Sequence, residues 1–122
     1  MNGRTCLITG ATDGIGKETA KAMARNGYNL ILIGRNEEKG KKVSDEIRKI
    51  ADSIDIDFFK ADLMLMKEVS RVAEEVRKKY DRIDVLINNV GAYFAFKGVT
   101  EEGFERTFAL NHLGYFLMTK KL

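Results

Sequence analysis

The chain has 122 residues, a length that suits one domain and is too short for two. Its 44% hydrophobic and 32% charged residues are typical of a folded protein. The net charge is +3, and acidic and basic residues alternate along the chain as on solvated helix faces, which argues against a nucleic-acid partner. The sequence has no apolar run of the roughly 20 residues that a membrane helix needs, and strand-like residues begin too early for a signal peptide. Cys6 is the only cysteine and cannot form an internal disulfide, so we expect a cytoplasmic protein.

Apolar runs with strand periodicity alternate with runs of helical periodicity, a pattern typical of parallel βαβ units. The second strand-like run, Leu30-Ile31-Leu32-Ile33, is apolar throughout, as expected where helices cover both faces of a sheet. We therefore predict one α/β domain over residues 1–122, a Rossmann-type doubly wound parallel sheet with strand order 3-2-1-4. The predicted strands are residues 4–9, 29–33, 54–60 and 83–87. The predicted helices are residues 15–26 with Gly27 as their stop, a helix opening at Asn36, a helix burying residues 69–80, and a last helix from about residue 101.

A glycine-rich segment, residues 9–16, lies where the first strand turns into the first helix. Gly10 allows a tight turn, Gly14 lets the backbone approach a pyrophosphate, and Gly16 lets the helix pack closely on the sheet. Amide groups at the start of the helix and the positive end of its dipole favour a bound anion. The predicted pyrophosphate-binding residues are Thr9, Gly10, Thr12, Asp13, Gly14, Ile15 and Gly16.

Three motifs together identify a resemblance to the short-chain dehydrogenase/reductase family. The glycine segment matches the cofactor loop of that family, and Asn88-Asn89-Val90-Gly91 resembles its Asn-Asn-Ala-Gly segment, with Val90 in place of alanine. Asn111-His112-Leu113-Gly114 is similar to the segment that carries the catalytic asparagine of the family. The motifs occur in the family's order along the whole chain, and the retinol-dehydrogenase-like reductases are the subgroup that it most resembles.

The resemblance implies hydride transfer between a nicotinamide cofactor and a small hydrophobic alcohol or carbonyl compound. It implies that Asn111 is catalytic, that Asp62 and Leu63 contact adenine, and that Asn88, Asn89 and Gly91 lie beside the cofactor. Asp62 is alternatively an N-cap of the third helix.

The family's Tyr-x-x-x-Lys pair and its serine have no counterpart in the chain. Tyr93 and Lys97 have the spacing, but they fall in a predicted loop upstream of Asn111, where residues four apart do not share a face. This leaves two alternatives to an active enzyme: a non-catalytic dinucleotide-binding module, or an inactive fragment. We predict no metal site, since His112 is the only histidine and is interpreted as structural.

The end of the second strand bears on the choice of cofactor. NAD enzymes of this fold usually carry an acidic residue here for the ribose 2′-hydroxyl, whereas this chain has Gly34 followed by Arg35 and Asn36. A guanidinium group suits the 2′-phosphate of NADP, so we predict NADP, with NAD as second choice. Asp13 and Glu37 are acidic and count against a bound phosphate, and Arg35 is alternatively an ordinary surface charge.

The predicted last helix is apolar around most of its circumference, and strand 4 is predicted at an edge of the sheet. A helix of this kind needs partners on most sides, and an uncovered strand edge favours pairing with another chain. We therefore expect either a homo-oligomer formed through strand 4 or the last helix, or a longer protein of which this chain is the front half.

Overall fold

The computed structural model describes residues 3–89, where four strands alternate with three helices. The strands are parallel and lie in the order β3-β2-β1-β4, which confirms the predicted Rossmann-type sheet. The strands are β1 (Thr5–Thr9), β2 (Asn29–Gly34), β3 (Ile56–Lys60) and β4 (Val85–Ile87). The helices are α1 (Gly14–Arg25), α2 (Glu37–Ile50) and α3 (Met66–Lys79).

Two strands begin two residues later than the sequence predicts. β3 starts at Ile56 and β4 at Val85, although the apolar pattern begins at Ile54 and Ile83. Both of these isoleucines pack against the core from the preceding loops, so their hydrophobicity reflects burial and not strand pairing.

The sheet separates two hydrophobic cores, because successive side chains of a strand point to opposite faces. Leu7 of β1 and Ile31 of β2 face α3, whereas their neighbours Ile8 and Leu32 face α1 and α2. Each fully buried side chain of this size contributes about 1.5–3 kcal/mol to folding. Helices on both faces explain why β2 has no polar side. The core beneath α3 includes Val69, Val72, Ala73 and Val76, and the core beneath α1 and α2 includes Ala20, Ala24, Val43 and Ile47.

The predicted helix ends are also present. Gly27 has a φ of 84°, in the left-handed region that favours glycine, and it follows the last turn of α1. The Asn36 side chain accepts a hydrogen bond from the Lys39 amide at 3.1 Å and so caps α2.

Because the strands are parallel, the loops that follow β1, β2 and β4 all lie at the same end of the sheet, beyond the carboxyl ends of the strands. Residues 3–89 contain no helix long and apolar enough to cross a bilayer.

Several predictions from the sequence fall on residues 90–122, which lie outside the described residues. They concern Gly91, Asn111, His112, the Tyr93–Lys97 spacing and the last helix. Within the described part β4 does lie at an edge of the sheet, and association with a second copy through it stays a prediction.

Candidate functional site

The turn from β1 into α1 depends on glycine at two positions. Gly10 and Gly14 have φ values of 66° and 55°, a region that costs other residues about 1–2 kcal/mol. The Gly10 amide donates to the Ile33 carbonyl oxygen at 3.0 Å, which fixes the turn to β2. The glycine spacing is therefore required by the backbone of the loop, before any ligand is considered.

The surface above Gly14 is open. A Cβ atom built there meets nothing within 4 Å, and the neighbouring Ile15 side chain is 79% exposed. The amides of the first helical turn have no acceptor inside the helix, and Asp13 makes no side-chain capping bond to them. Open space, unshielded amides and the positive helix end together fit a dinucleotide pyrophosphate.

Gly16 is needed for a different reason. A Cβ atom at this position would overlap the Gly10 carbonyl oxygen and the Asn89 side-chain nitrogen, and would lie 2.9 Å from the Gly10 carbonyl carbon. Gly16 therefore packs directly against the phosphate loop and against the residue that follows β4. Any larger residue forces α1 away from the loop that it helps to form.

Asn89 joins the phosphate loop to the end of β4. Its backbone amide donates to the Thr9 hydroxyl oxygen at 2.9 Å, and its side-chain nitrogen donates to the Gly10 carbonyl oxygen at 3.3 Å. The Thr9 hydroxyl in turn donates a hydrogen bond to the Ile87 carbonyl oxygen at 3.5 Å. Asn88, which the resemblance places beside the cofactor, precedes Asn89 and is half-buried. The bracing contacts of Asn89 join residues about 80 positions apart, and the local signal for them is an asparagine pair after a strand.

A cleft of about 550 Å³ lies next to the loop, between the ends of β1, β2 and β3. Arg35 lies in this cleft, and no described residue forms a hydrogen bond or ion pair with its guanidinium group. The cleft therefore offers an accessible cation beside the expected ribose position. Its lining residues are Thr12, Asp13, Arg35, Asn36, Glu37, Glu38, Lys39 and Lys60.

The Phe58 ring lies against Gly34, the position at which NAD-dependent enzymes of this fold usually carry an acidic residue. A Cβ atom at Gly34 would lie 3.2 Å from Thr12 Cγ2 and 3.3 Å from Phe58 Cε2, both tight contacts. The ring also fills the space left by Gly40, where a Cβ atom would lie 2.5 Å from it. Phe58 was not among the predicted site residues, since its contact with Gly34 and Gly40 depends on the pairing of β2 with β3.

The profile of the short chain dehydrogenase family matches residues 4–122. The chain belongs to the short-chain dehydrogenase family. The match includes the phosphate loop and the Asn88-Asn89 segment described above, and it extends through the motif around Asn111.

Relatives within the family agree in sequence and in fold. Human retinol dehydrogenase 13 is 39% identical over 120 residues, and human polyprenol dehydrogenase is 38% identical over 119. Both alignments cover 98% of this chain and 36% of the relative, so the chain spans little more than a third of their length. The structure of a short-chain dehydrogenase from Sphingobium yanoikuyae in complex with NADPH superposes with a TM-score of 0.80 at 31% identity. That alignment covers 97% of this chain and 46% of the other.

Asp62 does not cap α3, so the helix-cap alternative is wrong. The helix begins at Met66 with Leu65 as its N-cap, while Asp62 Oδ1 accepts from the Met64 amide at 3.1 Å. This bond shapes the turn after β3, as short acidic side chains often do. Leu63 is 6% exposed and packs in the core beneath α3. Contacts of Asp62 and Leu63 with adenine remain predictions.

At the opposite ends of the strands lies a larger cleft of about 770 Å³, in which all three cations are engaged: Arg48 with Asp45, Lys79 with Asp57 and Arg82 with Asp84. The Tyr80 hydroxyl donates to Asp57 Oδ2, and Lys79 Nζ lies 2.9 Å from the same oxygen. Burial raises the pKa of Asp57, but the hydrogen bonds from Tyr80 and Lys79 outweigh burial and the net pKa is lowered. Burial and the adjacent carboxylate raise the Tyr80 pKa, so this tyrosine is a poor proton donor.

Neither a metal centre nor a reactive thiol is found among residues 3–89. No group of three or more histidine, cysteine, aspartate or glutamate side chains there is arranged to hold an ion. Cys6 is buried in β1, and burial raises its thiol pKa to about 11, which leaves little nucleophilic thiolate near neutrality.

Proposed function

We propose that the protein is an NADP(H)-dependent oxidoreductase and that residues 3–89 form the greater part of its dinucleotide-binding half. When bound, the nicotinamide ring supplies a hydride acceptor or donor for an alcohol or carbonyl compound. The residues of this chain bind and orient the dinucleotide.

The observation that carries the proposal is the open backbone at Gly14. This residue combines a left-handed backbone, free space where a side chain would be, and a position in the first turn of α1. A pyrophosphate placed there would accept hydrogen bonds from first-turn amides at the positive end of the helix dipole.

The cleft beside the loop supports NADP over NAD. Position 34 has no carboxylate to bind a ribose 2′-hydroxyl, and Thr12 and Phe58 crowd that position. Arg35 lies in the same cleft and is available to a 2′-phosphate. An arginine can bind phosphate through two parallel hydrogen bonds, which gives both energy and orientation. A relative of the same fold was solved in complex with NADPH, which is consistent with this choice.

The names of two relatives support a substrate class. Retinol dehydrogenase 13 and polyprenol dehydrogenase are named for apolar alcohols, and both align with 98% of this chain. We extend the proposal to a hydrophobic alcohol, ketone or aldehyde as substrate, with Asn111 in the proton relay as the family resemblance implies.

The proposal is tested by titrating the purified protein with NADP⁺ and NAD⁺ by calorimetry, alongside two valine variants on the same helix. Gly14→Val should abolish binding of both dinucleotides, because the new side chain occupies the open surface of the loop. Gly27→Val is the matched control. Gly27 also has a positive φ and open space around its Cβ position, but it lies at the other end of α1. The Gly27 variant should lose stability and still bind.

Activity is then measured at the absorbance band of the reduced nicotinamide, with a panel of apolar ketones, aldehydes and alcohols. Turnover that depends on NADPH or NADP⁺ supports the oxidoreductase. Tight dinucleotide binding without turnover of any compound would favour the non-catalytic module. Equal binding by wild type and the Gly14 variant contradicts the proposed site.

A further inference from the structure

An ion pair joins the phosphate loop to α2 across the cleft. Lys39 Nζ lies 3.0 Å from Asp13 Oδ2, although the two residues are 26 positions apart in the chain. Their side chains are 54% and 72% exposed, so both remain accessible to a ligand. Both residues line the cleft that also contains Arg35.

The Asp13 carboxylate is turned away from the helix that it precedes. Asp13 is the N-cap of α1 and has the extended backbone of a cap, with φ −144° and ψ 158°. A carboxylate at this position normally accepts a hydrogen bond from an amide two or three residues later, but here it makes no such bond. The equivalent residue of α2, Asn36, does cap its helix. Asp13 instead faces Lys39 and leaves the first-turn amides of α1 to another anion.

Without Lys39, the Asp13 carboxylate would make the cleft a poor site for a phosphate. Its three cations, Arg35, Lys39 and Lys60, are matched by three carboxylates, those of Asp13, Glu37 and Glu38. The carboxylate at the end of the loop repels a phosphate, and Lys39 offsets that charge at a 3.0 Å separation. A lysine ammonium on a flexible four-carbon stem can move between two anions, whereas an arginine fork is more rigid.

We propose, on the basis of the function proposed above, that the Asp13–Lys39 pair selects the cofactor. Asp13 holds Lys39 at the wall of the cleft in the free protein. When a 2′-phosphate enters, Lys39 leaves the singly charged carboxylate and contacts the more highly charged phosphate together with Arg35. Lys39 thereby determines specificity for NADP, and Asp13 lowers the affinity that Lys39 and Arg35 would otherwise give.

The test compares Lys39→Met and Asp13→Asn with a matched control, Lys41→Met. Lys41 is exposed on the same helix and does not line the cleft. Each protein is titrated with NADP⁺, NAD⁺ and 2′,5′-ADP, which carries the 2′-phosphate without nicotinamide. The loss of one charge-assisted hydrogen bond predicts that Lys39→Met weakens NADP⁺ and 2′,5′-ADP about tenfold and leaves NAD⁺ nearly unchanged. Asp13→Asn should strengthen both phosphate ligands by about threefold, because Lys39 is no longer held by an anion. Lys41→Met should alter none of the three.

The double variant Asp13→Asn/Lys39→Met checks that the two residues act on each other. Without Lys39 no cation is held by Asp13, so the gain from Asp13→Asn should be smaller than in the wild type, and a full threefold gain would overturn the coupling. Equal losses for NADP⁺ and NAD⁺ in Lys39→Met would show that Lys39 supports the loop, and would overturn the inference. Unchanged NADP⁺ affinity in that variant would also overturn it while leaving the proposed function standing. If the wild type binds none of the three ligands, both proposals fail.

Discussion

Charged residues line a cleft at each end of the parallel strands, but the two clefts differ in whether their cations already have partners. At the amino ends of the strands, Asp57 is bonded to Tyr80 and Lys79, and Arg82 lies 2.8 Å from Asp84. At the carboxyl ends, Arg35 has no partner among the described residues. The cleft at the amino ends therefore has no cation without a partner among the described residues, whereas the cleft at the carboxyl ends offers Arg35 to an anion.

Cleft size alone does not favour the proposed site. The cleft at the amino edge has about 770 Å³ and that at the carboxyl edge about 550 Å³. Ligands of open α/β sheets bind outside the carboxyl ends of the strands, where loops can vary without disturbing the sheet. The availability of amides and cations, and not volume, identifies the smaller cleft as the candidate site.

The largest expected effect comes from Gly16→Val at the carboxyl edge. Its side chain would overlap the Gly10 carbonyl and the Asn89 amide, so the loop must move. We expect no measurable binding of either dinucleotide and a loss of stability of about 1–3 kcal/mol, the usual cost of overpacking. Calorimetric titration and urea denaturation measure the two effects. Ala22→Val, on the exposed face of the same helix, should retain binding, and full binding by the Gly16 variant would contradict the described loop.

A smaller effect, confined to one cofactor, is expected from Arg35→Asp. The acid is placed at position 35 because Thr12 and Phe58 crowd position 34. Loss of the guanidinium and gain of a carboxylate should shift the preference from NADP⁺ toward NAD⁺ by about 1–3 kcal/mol. The measurement is the ratio of the two dissociation constants. Arg77→Asp, at the exposed end of α3, makes the same charge change and should leave that ratio unaltered. An unchanged ratio in the Arg35 variant would remove this residue from the site.

The smallest effect is expected at the amino edge, where Asp57→Asn should affect stability alone. The fold lowers the Asp57 pKa, so the charged form contributes stability above the ordinary aspartate pKa of 3.8 and loses it as the pH falls below that value. We expect a loss of about 1 kcal/mol at pH 7, typical of a charged hydrogen bond in a partly exposed site. The difference should shrink as the pH falls from 5 to 3.

Urea denaturation at pH 7, 5 and 3 measures this pH dependence, with the exposed Asp52→Asn as control. A difference at pH 3 equal to that at pH 7 would mean that Asp57 acts through packing and not through its charge. An altered affinity for NADP⁺ would mean that the two edges are not independent.

The sequence by itself determined the order of elements, the strand order and the positions of the phosphate loop and the Asn36 cap. The phosphate loop and the cap depend on interactions within a few residues, such as a left-handed glycine or a cap three residues from its amide, so a local pattern is sufficient to predict them. The strand order follows from the alternation of strands and helices, because doubly wound sheets connect parallel strands in few ways. Strand boundaries were less accurate at Ile54 and Ile83, because burial and strand pairing give the same apolar signal.

Only the tertiary structure decided which residues surround the loop. Asn89 reaches Gly10 across 79 positions, and Lys39 reaches Asp13 across 26. Phe58 takes its place beside Gly34 through the register of two strands. No local pattern encodes these contacts, because each exists only after the parallel strands have brought their carboxyl ends to one edge.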